Sequence, residues 1–350
     1  MLVDSPPKQS AEPQSAPASR KRHLLRAAGL LVAAGVLLLV CVASIAVGAK
    51  SIPLADVWHG LFDNQGSGND VIVADVRVPR TLLGLIAGAA LGLAGAVMQA
   101  LTRNPLAEPG LLGVNAGASA AVVSAISFLG VTSLTGYVWF AFLGAGVVSV
   151  LVYILGGSRS ATPVRLALAG TAATAALYGY INAVQLLDSA ALERLRFWTV
   201  GSLASADMAT VAKVAPFIAV GVLLALLLAR PLNAMEMGDD TARSLGAHLN
   251  RTRALSMLAV TLLCGAATAA CGPIIFIGLM IPHLVRSITG PDMRWVLPYA
   301  TVLAPVLLLG ADVVGRVVTR PAELQVGIVT ALIGGPVFIH LVRRKRMAQL

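Results

Sequence analysis

Long apolar runs separated by short polar connections make up most of this chain. Most of the runs are close to the ~20 residues that a helix needs to cross the hydrocarbon core of a membrane. The pattern therefore predicts an all-α polytopic membrane protein with about ten transmembrane helices, one of them short or broken. The ten runs are 27–48, 81–101, 111–129, 137–155, 166–187, 211–229, 254–271, 274–287, 296–315 and 326–342.

One nearly uncharged stretch, 253–285, is too long for a single crossing at a helical rise of ~1.5 Å per residue. Gly272-Pro273 divides it, because proline lacks a backbone donor and kinks or ends a helix. Irregular backbone at membrane depth is tolerated only where protein or a water-filled cavity satisfies it. Gly278, Pro282 and His283 in the short second helix are therefore candidates for a translocation path. A structural, hydrogen-bonded role is the alternative for His283.

The two ends of the chain differ from the apolar middle. Residues 1–26 combine a Pro-, Ser-, Ala- and Gln-rich stretch with a basic cluster, which predicts a disordered basic tail. A secretory signal is the alternative for 27–48, but its apolar core spans only ~7–15 residues and this run is longer. We therefore predict one transmembrane domain over 27–343, followed by a tail at 344–350.

Composition narrows the class further. Only 12% of the residues are charged and 57% are hydrophobic, whereas about a quarter of an ordinary soluble domain is charged. A soluble enzyme and a nucleic-acid binder are excluded. Cys41, Cys264 and Cys271 lie inside apolar runs without metal-ligand spacing, and no P-loop or nucleophile motif is present. We expect neither catalysis nor a bound metal or cofactor.

The net charge of +10 is mainly a signal of orientation. If the first run leaves the cytoplasm, the 26 lysines and arginines divide into 18 on the inner side and 8 on the outer side. This asymmetry follows the positive-inside rule. It predicts that both termini are cytoplasmic.

Three arginines lie on the outer side, where the positive-inside rule disfavours basic residues, and we therefore expect each of them to have a binding partner. Arg77 and Arg80 enter the second run, and Arg316 lies near the outer end of the ninth. Planar guanidinium groups suit bidentate pairing with carboxylates. The alternatives are anchoring to lipid headgroups, a local pair of the first two with Asp75, and a helical pair of Arg316 with Asp312, one turn earlier.

The inner connection 231–253 is polar, and its pattern predicts a short amphipathic helix at about 238–250. An interfacial helix without a partner and a protein-docking surface are both open. The apolar positions are Ala242, Leu245 and Leu249, and the polar ones include Asp239, Asp240, Arg243 and His248.

Taken in order, the motifs of the chain resemble those of the transmembrane permease subunits of bacterial ABC importers for ferric siderophores, haem and cobalamin, the FecCD family. The ordered set is specific and covers about residues 50–345. The matching stretches are Arg77-Val-Pro-Arg80, Gly95–Ala100, Arg103–Gly113, Phe197-Trp198 with Gly201-Ser202, Ala242–Gly246, Phe276–Arg286, and Ala311-Asp312 with Arg316, Glu323 and Gly327.

The resemblance implies a multi-pass subunit of the bacterial cytoplasmic membrane that imports a metal chelate, most often a ferric siderophore; cobalamin and haem are alternatives. It implies three partners: a second permease subunit, identical or paralogous, cytoplasmic ATPase subunits that bind ATP and magnesium, and an extracytoplasmic substrate-binding protein. A secondary transporter is disfavoured, because ionisable residues within the runs are almost absent. A channel or a passive membrane scaffold is the other alternative.

The resemblance also assigns roles to residues. It implies that Arg77, Arg80 and Arg316 meet acidic residues of the binding protein, and that Gly278, Pro282 and His283 lie in a short eighth helix. The helix that seats in the ATPase would contain Asp239, Asp240, Ala242, Arg243, Leu245 and Gly246. Gln325 stands where the family usually has proline, so we expect a looser outer turn there.

Overall fold

The computed structural model describes residues 16–63, 66–131, 133–157, 163–244 and 246–347, and these residues form helices and connections without a strand. A π-helical turn at Ile72–Arg77 joins the third and fourth helices into one continuous element. The helices are α1 (Ala16–Ala46), α2 (Leu54–Phe62), α3 (Gly68–Val71), α4 (Val78–Thr102), α5 (Val114–Leu129), α6 (Leu134–Leu155), α7 (Pro163–Leu187), α8 (Ser189–Thr199), α9 (Met208–Leu227), α10 (Ala229–Glu236), α11 (Asp239–Ser244), α12 (Leu249–Cys271), α13 (Ile277–Thr289), α14 (Met293–Val318) and α15 (Val326–Met347).

Each of the ten predicted apolar runs lies on a helix. Within the described residues, seven helical stretches are long and apolar enough to cross a membrane, and the helices at Val114–Leu129, Ile277–Thr289 and Val326–His340 are apolar but shorter. The prediction of an all-α polytopic membrane protein is thereby confirmed.

The tail predicted to be disordered at 1–26 is helical over part of its length, and α15 continues into the tail predicted at 344–350. Helix α1 begins at Ala16 and α15 ends at Met347, so residues 16–26 and 344–347 are helical. The reason is that alanine, leucine, lysine and arginine all favour helices, so the basic clusters prolong the apolar helices next to them. The remaining tail residues, 1–15 and 348–350, lie outside the described residues.

Helix α4 forms the centre of the molecule and is buried along most of its length. Its glycines let neighbouring backbones approach closely. In lipid the hydrophobic effect does not drive helices together, so their association depends on such close packing. A Cβ atom on Gly88 would lie 2.6 Å from the Cα atom of Pro305 in α14, and one on Gly92 would lie 2.5 Å from the side chain of Ala304. A Cβ atom on Gly95 would overlap the backbone of Gly278 in α13.

The predicted break between two helices is confirmed. Helix α12 ends at Cys271, and the chain is non-helical until α13 begins at Ile277. Gly272 adopts a positive φ of 72°, and a side chain there would meet the carbonyl oxygen of Trp198. The freed carbonyl of Cys271 accepts a hydrogen bond from the amide of Ser202 at 2.8 Å, so protein satisfies the irregular backbone.

Candidate functional site

A cluster of buried charges ties together the ends of α1, α4 and α14 on the predicted outer side. Arg80 forms a fork with Asp312: its Nη2 atom lies 2.8 Å from Oδ1 and its Nε atom 3.0 Å from Oδ2. Its third nitrogen, Nη1, donates to Glu323 Oε2 at 2.7 Å. These residues are 232 and 243 positions apart in the chain, so the tertiary fold alone brings them together.

The other two arginines of this cluster also have partners inside the chain. Arg316 lies 3.1 Å from Asp312 and donates to the carbonyl oxygen of Ser44 at 2.9 Å. Arg77 donates to the carbonyl oxygens of Ile45 and Lys50 in and after α1. The helical pair of Arg316 with Asp312, one of the alternatives, is therefore present, whereas Arg77 bonds backbone rather than Asp75.

All three guanidinium groups are buried: Arg77, Arg80 and Arg316 are at most 6% exposed. Among the members of the cluster, only Glu323 reaches the surface, with a side chain that is 35% exposed. Three arginines face two carboxylates, which leaves one positive charge uncompensated. An external carboxylate can reach these arginines only by displacing a partner within the chain, and Glu323 is the accessible one.

A second polar network lies at the opposite end, around the predicted coupling segment. Asp239, the first residue of α11, pairs with Arg103 at the end of α4 and with Arg253 in α12, the latter at 2.6 Å. Arg103 also donates to the carbonyl oxygen of Met235 at 2.7 Å. Burial alone would raise the pKa of Asp239, but the two arginine hydrogen bonds outweigh it and lower the pKa. Asp239 is thus an ionised anchor for α11.

The segment itself differs from the single helix predicted for 238–250. Helix α11 covers only Asp239–Ser244, Gly246 follows with a positive φ of 81°, and α12 starts at Leu249. Glycine at that φ ends the helical path, which is why the apolar spacing does not extend through the segment. Ala242 is buried, while Asp240 and Arg243 are exposed and pair with each other at 3.2 Å. Leu245 lies outside the described residues.

The short helix α13 packs on α4 and carries the three candidate path residues. Gly278 and Pro282 are buried, and Gly278 forms the close crossing with Gly95. His283 is half-buried and makes an interaction within the chain. The structure therefore places two of the three in helix packing rather than on an open surface.

Gln99 and Arg286 were missed as site residues in the sequence. Gln99 donates to the carbonyl oxygen of Leu279 at 3.1 Å and accepts from Arg286 Nη1 at 2.7 Å. Arg286 also pairs with Glu236 in α10 at 3.3 Å. Burial raises the pKa of Glu236, with Arg286 opposing it. A glutamine inside an apolar run was the available signal, because a buried amide needs partners.

Within the described residues, no group of three or more His, Cys, Asp or Glu side chains could hold a metal ion. The polar networks instead fix helix ends to one another at both surfaces of the molecule. Such an arrangement suits a protein that moves as linked helices.

Comparisons with known proteins agree with this description. Residues 36–344 match the model of the FecCD transport family. The chain is 48% identical over 316 residues to the ferric enterobactin transport system permease protein FepD of Escherichia coli (strain K12), covering 89% of this chain and 94% of that protein. It is 36% identical to the hemin transport system permease protein HmuU of Yersinia pestis, covering 89% and 93%.

A solved structure has the same fold. It shows an inward-facing conformation of a metal-chelate type ABC transporter, with a TM-score of 0.79 and 27% identity, and the match covers 90% of this chain and 98% of that one. The family match, the relatives and this fold show that the chain is the membrane-spanning permease subunit of an ABC transporter, which is not an enzyme. The chain belongs to the FecCD transport family.

Proposed function

We propose that this chain is the membrane-spanning subunit of an ATP-driven importer that carries a ferric siderophore across the bacterial cytoplasmic membrane by alternating access. The 48% identity to a ferric enterobactin permease, extending over 94% of that protein, carries this proposal. Haem is the second candidate substrate, because a hemin permease is 36% identical over a similar length. The chain itself holds no nucleotide; ATP and magnesium bind to the partner ATPase.

Deletion of this chain in its native host tests the substrate. We expect the deletion strain to lose uptake of radioactive iron supplied as ferric enterobactin and to regain it with a plasmid copy. If the deletion strain lost only the uptake of haemin, the substrate would be haem and not a ferric siderophore. Uptake that continues when the partner ATPase is inactivated by mutation would contradict the ABC mechanism and indicate a secondary transporter.

The orientation follows from the distribution of charge. With 18 of 26 basic residues on one side, we place that side in the cytoplasm, together with both termini of a ten-span subunit. The shorter helices α5, α13 and α15 complete the ten spans.

A second permease subunit would cover helix α7, where Leu186 and Leu187 are 87% and 90% exposed. In this arrangement Gly278 packs α13 against α4, and Pro282 and His283 lie on the same short helix beside the path.

Helix α11 and the turn after it form the contact with the ATPase in this proposal. Asp240, Arg243 and Gly246 are exposed and available to a partner. Ala242 is buried beneath them, and Asp239 is held by Arg103 and Arg253. A displacement of α11 would therefore directly move α4 and α12, the two helices at the centre of the bundle. Leu245 belongs to the same contact by its position in the chain.

Docking of the extracytoplasmic binding protein is assigned to the outer arginines Arg77, Arg80 and Arg316. Because they are buried, docking requires an exchange: a carboxylate of the binding protein takes the place of Glu323 on Arg80. The uncompensated positive charge of the cluster favours an acidic partner. Replacing the arginines by glutamate would disrupt the buried cluster itself, so the more informative change is at Glu323.

Glu323→Gln removes the competing charge while it keeps the size of the side chain. We expect the binding protein to dock several-fold more tightly to the variant in surface plasmon resonance, and the gain to shrink at high salt. Glu193→Gln on α8 is the control, because Glu193 is an exposed acid on the same side. Equal or weaker docking of the Glu323 variant, relative to this control, would contradict the exchange.

A further inference from the structure

Two grooves meet at Arg230, on the side of the molecule that carries α11. The larger one, of about 650 Å³, lies between the end of α9 and the start of α12, and Leu224, Arg230, Arg251 and Leu255 are among the residues that line it. The smaller one, of about 450 Å³, lies between α9 and α14. Arg230 and Leu227 line both grooves, so Arg230 stands between them.

The charges of the larger groove have no counterion among the described residues. In the part of the chain that the structure describes, neither Arg230 nor Arg251 forms an ion pair or a side-chain hydrogen bond, and both are exposed. Among the described residues, no carboxylate lines the groove. By contrast, Arg253 and Arg286 are paired with acids. Two unpaired guanidinium groups that line one groove suit a phosphate.

The walls of the groove change from charged to apolar with depth. Leu255 lies one helical turn after Arg251 in α12, and Leu224 lies in α9, before the turn that leads to Arg230 in α10. Leu227, which lines the groove, and Leu258 in α12 are 67% and 47% exposed. Arginines at the rim and leucines below them match the order of headgroup and acyl chain in one leaflet.

We propose that this groove binds an anionic phospholipid of the cytoplasmic leaflet. The phosphate contacts Arg230 and Arg251, and an acyl chain lies along Leu224, Leu227 and Leu255. Basic pockets between membrane-spanning helices on the cytoplasmic side are suited to such headgroups. The leucines belong to the apolar spans Met208–Leu227 and Leu249–Cys271, which favours lipid over the ATPase as occupant. The proposal rests on the proposed orientation but not on the substrate.

The bound lipid would join the coupling segment to the plane of the membrane. Gly246 and His248, between α11 and α12, line the same groove as the two arginines. A lipid held there stabilises the start of α12 against which α11 is anchored.

Lipid retention by the purified full-length protein tests the proposal. We expect native mass spectrometry to show phosphatidylglycerol bound in preference to phosphatidylcholine when the two are supplied in equal amounts. The double variant Arg230→Gln/Arg251→Gln should lower phosphatidylglycerol binding roughly 30-fold, since each arginine near a membrane surface contributes about 1 kcal/mol. Binding should return to near the original level with the charge-conserving Arg230→Lys/Arg251→Lys variant.

The matched control is Arg194→Gln/Arg196→Gln, which removes two exposed charges from α8 on the other side. It should bind phosphatidylglycerol as the unaltered protein does. An equal loss in both double variants would overturn the proposal, since the effect would then be one of net charge. Displacement of the lipid by inorganic phosphate would overturn it too, and so would displacement by the ATPase subunit.

Discussion

Asp312 is the residue on which the outer cluster depends. Its carboxylate is fully buried and forms ion pairs with both Arg80 and Arg316, so two cations share one anion. Among the described residues, the second carboxylate, Glu323, pairs with Arg80 alone. Removing one member of a buried ionic group leaves the others desolvated without compensation, which costs far more than the pair contributes when intact.

Asp312→Asn should therefore destabilise the protein strongly. The variant keeps the shape of the side chain but leaves two buried guanidinium groups with a single half-exposed carboxylate. We expect a loss of about 3–5 kcal/mol, measured as a lower thermal midpoint of the purified protein in detergent.

Asp240→Asn is the matched control for this change. Asp240 also pairs with an arginine, but its side chain is fully exposed, and exposed pairs contribute about 0–1 kcal/mol. A midpoint for Asp312→Asn equal to that of the control would mean that the buried cluster does not hold the outer ends of the helices together.

The sequence anticipated the residues of this cluster but not its arrangement. Arg80 was expected to meet a carboxylate, because a guanidinium group on the outer side needs one. The carboxylates that Arg80 meets are Asp312 and Glu323 of the same chain, because α4 packs against α14. The spacing of residues within a single helix does not predict this pairing.

Among the helices, α4 and α13 show how backbone contact replaces side-chain packing. Gly95 and Gly278 face each other so closely that a Cβ atom on Gly95 would overlap the backbone of Gly278. The hydrogen bond from Gln99 to Leu279 lies one turn further along. Backbone cannot yield as a flexible side chain can, so this crossing tolerates no added atom.

Gly95→Ala should push α13 away from α4. We expect a loss of about 1–3 kcal/mol, which is usual for overpacking a well-packed core, together with slower uptake because the Gln99 contacts are strained. The thermal midpoint in detergent and the uptake assay would both measure it.

Gly310→Ala separates this effect from the general effect of alanine in a helix. Gly310 lies in α14 with no atom within 4 Å of an added Cβ, so the change should be neutral or stabilising by up to about 1 kcal/mol. If Gly95→Ala were as stable as this control, the close crossing would not constrain the two helices.

Helix ends were less predictable than helices. The break at Gly272-Pro273 was visible because proline and glycine both act through local geometry. The coupling segment was predicted as one helix from its apolar spacing, but the positive φ of Gly246 ends it early. The spacing of apolar residues indicates which face of a helix is apolar, but it does not indicate where the backbone turns.

At the scale of the whole molecule, the orientation is the main prediction. Cysteine introduced by Ser189→Cys, at the start of α8, should react with a membrane-impermeant maleimide in right-side-out vesicles. Thr241→Cys in α11 should react only in inverted vesicles, since the positive-inside rule places α11 in the cytoplasm. Both positions are exposed.

The native cysteines provide a low background for this experiment, because Cys264 and Cys271 are buried and Cys41 is half-buried and can be replaced by serine. Labelling of both introduced cysteines from the same face would contradict the orientation and, with it, the lipid groove. The family membership would be unaffected.

The sequence by itself determined that this is a helical membrane protein, roughly where its spans lie, and to which family its ordered motifs correspond. It could do so because apolar run length, proline breaks and charge asymmetry act locally, through the cost of placing charge and open backbone in lipid. Only the tertiary structure decided the partners of Arg77, Arg80 and Asp239, and the contact of Arg316 with Ser44. Those partners lie outside the helix that carries each residue, and a carboxylate held nearby by the fold reaches a buried arginine before any external one.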